Sequence, residues 1–85
     1  MVRRSKMEII ADILTEALNG ASKTRIMYRA NMNFLRVNRY FSELLEKDLI
    51  VKENGPNGGA LYYETTEKGK DLLKVLKKAQ ELVSI

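Results

Sequence analysis

The chain has 85 residues, of which 45% are hydrophobic and 31% charged, and its 15 lysines and arginines against 11 acids give a net charge of +4. That composition belongs to a folded domain and not to a disordered one, and the length supports a single small domain whose modest core a partner subunit would enlarge. There is no cysteine and no histidine, which excludes disulfides, thiolate metal sites and the commonest nucleophile–base pairs.

The first predicted helix runs from Lys6 to Asn19, where Ile9, Ile10, Ile13, Leu14, Ala17 and Leu18 recur at helical spacing. Ser5 with Glu8 forms a capping box, and Asn19-Gly20 supplies a left-handed stop. The acids Glu8, Asp12 and Glu16 in this segment are foreign to a secretory signal, so an intracellular, cytoplasmic protein is expected. No run of about 18 apolar residues is present, and no membrane span is expected.

A second, short helix is predicted from Lys23 to Ala30, with Ser22 as its N-cap and Ile26, Met27 and Ala30 facing inward. Asn31-Met32-Asn33 makes a turn, and a third helix follows from Phe34 to Lys47. Phe34, Val37, Phe41, Leu44 and Leu45 fall on one arc of it, with Arg36, Arg39, Tyr40 and Glu43 opposite. Two helices joined by a three-residue turn are a helix-turn-helix candidate.

Leu49 to Glu53 and Leu61 to Thr65 then read as a β-hairpin with Asn54 to Gly59 at its tip. The last helix runs from Glu67 to Ser84, with Leu72, Leu73, Val75, Leu76, Ala79, Leu82 and Val83 as its apolar positions. The predicted fold class is α+β, mainly α. Residues 1–65 form a winged helix-turn-helix of three helices plus a two-stranded wing, and residues 66–85 form a C-terminal helix that packs on this domain and pairs in a dimer.

Charge is unevenly distributed. Residues 17–42 hold Lys23, Arg25, Arg29, Arg36 and Arg39 with no acid, whereas residues 43–64 hold five acids against two bases. A basic block confined to one unit is the footprint of a phosphate-facing surface. On the third helix, Arg36 and Arg39 can each present paired donors to a guanine edge and Asn38 can engage an adenine, with Asn33 and Ser42 flanking them. The competing reading is a solvated face, in which Asn38 satisfies local backbone.

Lys23, Thr24 and Arg25 gather at the start of the second helix, where capping by Ser22 and phosphate binding are compatible roles. Arg29 and the N-terminal Arg3 and Arg4 are further candidates for phosphate contact. About five neutralised phosphates per chain would set a slope of log affinity against log salt of roughly −4 to −5. The hairpin tip lacks the lysine-serine ending of a nucleotide loop. It is a flexible connection or a wing whose Lys52 and Asn57 touch sugar or phosphate.

Tyr28, Tyr40, Tyr62 and Tyr63 are assigned to packing in preference to base stacking. No enzyme, cofactor, metal or small-molecule substrate is expected. The apolar arc of the last helix is too wide for one small domain to cover, so Leu72, Leu73, Leu76, Ala79, Leu82 and Val83 are assigned to a homodimer interface.

Four stretches carry a family resemblance. Residues 36–50, RVNRYFSELLEKDLI, resemble the recognition helix and following strand of winged-helix regulators. Residues 65–73, TTEKGKDLL, resemble the threonine-x-lysine-glycine junction after the wing in many of them. Residues 5–10, SKMEII, and 22–31, SKTRIMYRAN, resemble the small archaeal ten-kilodalton winged-helix DNA-binding proteins, over nearly the whole chain. That resemblance implies a dimer joined by an antiparallel coiled coil of the last helix. It also implies binding of double-stranded DNA with limited sequence preference, in a nucleoid-associated chromatin-type or regulatory role. Two alternatives stand beside it: a sequence-specific transcriptional repressor in which Arg36, Asn38 and Arg39 discriminate bases, and a winged helix that docks other proteins.

Overall fold

Each of the first three helices begins on a polar side chain that accepts one of its free N–H groups, which is why they start where they do. Ser5 accepts from Glu8 N, Ser22 from Arg25 N, and Asn33 from Arg36 N. The computed structural model describes residues 5–55, 59 and 61–83. Its elements in chain order are α1 (Lys6–Glu16), β1 (Ala21–Ser22), α2 (Lys23–Arg29), α3 (Phe34–Glu46), β2 (Ile50–Asn54), β3 (Leu61–Thr65) and α4 (Glu67–Val83).

The first helix is shorter than its apolar pattern predicts. The carbonyl of Ala17 receives Gly20 N at 3.1 Å and Thr65 N at 2.9 Å, so it is committed to a turn and to β3. Gly20 then takes a φ of +82°, a value that glycine adopts without strain.

Helices α2 and α3 end alike. Asn31 and Asp48, with φ of 55° and 58°, are the non-glycine residues in the left-handed region among the described residues. Around them Met32 N reaches Met27 O and Asn31 N reaches Tyr28 O, while Leu49 N reaches Leu44 O and Asp48 N reaches Leu45 O. This is the paired-bond pattern of the Schellman motif, and it stops each helix sharply.

The wing departs from the expected two strands. Ala21–Ser22 forms a third, pairing Ala21 with Tyr63 and Ser22 with Tyr62, so the sheet order is β1-β3-β2 with every pair antiparallel. The main hairpin runs in register from Ile50 opposite Thr65 to Asn54 opposite Leu61. A two-residue strand carries no alternation that could reveal it in a sequence.

The core gathers Ile9, Ile10, Ile13 and Leu14 of α1, Ile26 of α2, Val37, Phe41 and Leu44 of α3, and Ile50 and Tyr63 of the sheet. Phe41 meets Tyr63 edge-on with ring centroids 4.7 Å apart, the favoured aromatic arrangement. Helix α4 adds Leu73 and Leu76 to the same core. Adjacent threonines fasten the sheet to both flanking helices. Buried Thr65 donates its hydroxyl to Leu14 O at 2.7 Å, while Thr66 donates to Asp48 O and accepts from Gly69 N, capping α4. No helix among the described residues is long and apolar enough to cross a membrane.

Two expected core or packing positions lie outside that core. Phe34, on the predicted inward arc, is exposed, and so is Tyr28 at the end of α2. Phe34 is the first residue of α3 and is 59% exposed.

Candidate nucleic-acid interface

Helix α3 buries the line Val37, Phe41 and Leu44. Residues two positions away on a helix point to roughly the opposite side at about 100° per residue, which leaves Leu35, Arg39 and Ser42 central on the solvent face. Arg36 and Arg39 are exposed. Neither guanidinium forms a salt bridge with a carboxylate among the described residues. Ser42 is exposed beside them.

The nearest acid on this helix is already neutralised. Glu43 accepts from Lys6 at 3.0 Å and Lys47 at 3.4 Å. The hydrogen bond from Lys6 is the largest influence and, with the charge of Lys6 and the hydrogen bond and charge of Lys47, it holds the carboxyl below the usual glutamate value against the opposing effect of desolvation. The acid therefore turns toward α1 and does not cancel Arg39.

Two of the expected base contacts have structural duties. Asn33 is the N-cap of α3, its Oδ1 accepting from Arg36 N at 2.9 Å. Half-buried Asn38 accepts from Lys23 Nζ at 2.6 Å. Lys23 was expected at a phosphate, yet its ammonium lies 5.5 Å from the Phe41 ring centroid and 5.8 Å from those of Phe34 and Tyr63. That ammonium is engaged inside the protein, because rings attract a cation through their negative faces.

Thr24, Arg25 and Arg29 are exposed on α2, and Lys52 is exposed on β2. Arg3, Arg4 and Asn57 lie outside the described residues. The sequence reading missed Leu35, which a wheel drawn through Arg39 and Ser42 would have found four and seven residues ahead of them.

Helix α4 divides into two faces. Leu73 and Leu76, both expected at the dimer seam, are buried in their own chain and leave almost no surface for another. Leu72 is half-buried, and Val75, Ala79, Leu82 and Val83 are exposed.

A model of the winged helix-turn-helix family matches residues 3–84. The chain belongs to that family. Among solved structures, this winged helix is similar to Sso10a-2, a DNA-binding protein from Sulfolobus solfataricus, with 28% identity and a TM-score of 0.79 over 93% of this chain and 81% of that one. It is also similar to two uncharacterized proteins of Methanocaldococcus jannaschii. One is 34% identical over 96% of this chain, which spans only 36% of that relative's length, and the other is 32% identical over 96% of this chain and 79% of its own.

Proposed function

We propose that this winged helix binds double-stranded DNA, laying the outward face of α3 in the major groove. The observation that carries the proposal is the pair of exposed arginines, Arg36 and Arg39, without carboxylate partners among the described residues, inside a stretch with no acid between residues 17 and 42. A guanidinium left in water and surrounded by like charge favours a polyanion, because release of the counterions held by DNA phosphates drives binding. Similarity to Sso10a-2, a DNA-binding protein, supports a DNA ligand, and the role we assign is nucleoid-associated or regulatory with limited sequence preference.

Arg25 and Arg29 on α2 and Lys52 on the wing supply the phosphate contacts, and Lys23 drops out of that set. Three neutralised phosphates should accordingly set a slope of log affinity against log salt of about −2.7 per chain. We place a second copy against α4. Leu72, Val75, Ala79 and Leu82 follow one another at intervals of three, four and three residues, the spacing of a coiled-coil seam. This stripe replaces Leu73 and Leu76 as the interface, and a two-fold pair would present two copies of α3 to one duplex.

The test is a gel shift on random duplex at two salt concentrations, with the Arg36→Ala/Arg39→Ala variant alongside. Affinity should fall with salt at that slope, and the variant should bind at least tenfold more weakly, since each such contact supplies about 1–3 kcal/mol. A flat salt response, or a variant that binds as well as the parent, removes the proposal.

A further inference from the structure

We infer that Leu35 reads thymine, packing its side chain on the C5-methyl groups that thymine displays in the major groove. This rests on the duplex-binding proposal and adds to it a base preference that none of the polar residues supplies. Leu35 is the second residue of α3 and is 79% exposed, with Phe34 beside it at 59% and Tyr28, at the end of the preceding helix, at 85%.

Single apolar residues on a surface are ordinary. Here the exposed leucine sits at the centre of one particular face: it precedes Arg39 by four residues and Ser42 by seven, so all three share one side of the helix, opposite buried Val37. In helix-turn-helix docking the N-terminal turn of the second helix goes deepest toward the base edges, and the only apolar group on those edges in the major groove is the thymine methyl. Charge selects the occupant. The leucine is flanked by Arg36 and Arg39 and preceded by Arg25 and Arg29, with no acid between residues 17 and 42. A second copy meeting the patch two-fold symmetrically, with its own α3 face, would bring the same positive charge and be repelled, whereas DNA brings negative charge together with an apolar spot of methyl size.

Deoxyuridine isolates that methyl, since it pairs as thymine does and lacks only the C5 substituent. The experiment compares the full chain and its Leu35→Ala variant on two duplexes of identical mixed sequence, one with thymine and one with deoxyuridine throughout. Leu35 is so exposed that the variant should keep its fold, which far-ultraviolet circular dichroism checks.

The parent should bind the thymine duplex more tightly, by about fourfold for each methyl covered, and the variant should bind both duplexes equally with the parent's salt slope. Equal binding of both duplexes by the parent, or a thymine preference that survives in the variant, overturns the assignment to Leu35 while leaving duplex binding intact. Failure of the parent to bind either duplex removes the DNA proposal itself, and this inference with it. Capture of the patch by an acidic protein in place of duplex would show as that last outcome.

Discussion

Lys23 carries its charge inward on a flexible stem, donating to Asn38 and lying among the rings of Phe34, Phe41 and Tyr63. The start of α2 is thereby tied to the middle of α3 and to β3. Lys23→Met keeps the stem and removes the charge, leaving Asn38 without its donor. Urea unfolding should show a loss of about 1–2 kcal/mol, and the salt slope of DNA binding should stay unchanged. A slope weaker by about one would instead place the ammonium on a phosphate.

Glu43 gives a pH signature. Its carboxyl titrates below the usual value because Lys6 and Lys47 favour the charged form. Its stabilising contribution is present at neutral pH and disappears as the pH falls through the ordinary carboxylate range to the lowered folded-state value. The thermal midpoint of Glu43→Gln should fall below that of the parent at pH 7, and the two should converge near about pH 2, where both side chains are neutral.

At this scale the sequence announced residue types but not their engagements. Arg36 and Arg39 were legible as outward cations because their spacing opposes Val37, Phe41 and Leu44. Nothing in a linear chain says that Lys23 would meet three rings from two other elements, or that Asn33 and Asn38 would spend their acceptors on a cap and a lysine.

Elements were more legible than residues. The helices of this chain advertise themselves by apolar recurrence and, for the first two, by Ser5 and Ser22 at their starts, and the observed limits fall within a few residues of those expected. The errors lie where tertiary hydrogen bonds override local pattern. Helix α1 stops early because β3 claims the carbonyl of Ala17, and β1 exists only because β3 offers it an edge.

The left-handed residues at the ends of α2 and α3 yield a test at the same scale. An L-residue pays a steric cost in that conformation and glycine does not. Asp48 uses its backbone carbonyl, and not its side chain, to receive Thr66, so Asp48→Gly retains that bond. Chemical denaturation of Asp48→Gly should show a gain of up to about 1 kcal/mol. A loss would mean that the carboxylate itself supports the turn.

For the whole molecule, the amphipathic last helix serves two surfaces at once. Gly69, Leu73 and Leu76 face the protein's own core, while Val75 and Leu82 remain 65% and 69% exposed. The sequence displayed the width of that apolar arc, but it could not apportion the arc between the two sides, since Leu72 and Leu73 are chemically identical neighbours. Val75→Asp/Leu82→Asp touches only the exposed side. Sedimentation should report one chain's mass for that variant and twice that mass for the parent, with helix content preserved. A parent that already sediments as a single chain would dismiss the second copy while leaving monomeric duplex binding open to the gel-shift test.

At Gly69 the backbone of α4 crosses the chain so closely that an added methyl would overlap the carbonyl oxygen of Leu49 and the side chain of Thr65. Sliding the helix along its axis by one turn, about 5.4 Å, would drive a leucine or a threonine into a gap that admits only hydrogen. The crossing thus acts as a detent. Helix α4 has no second notch along its axis, so a slip of one turn is closed to it whatever docks on its outer side.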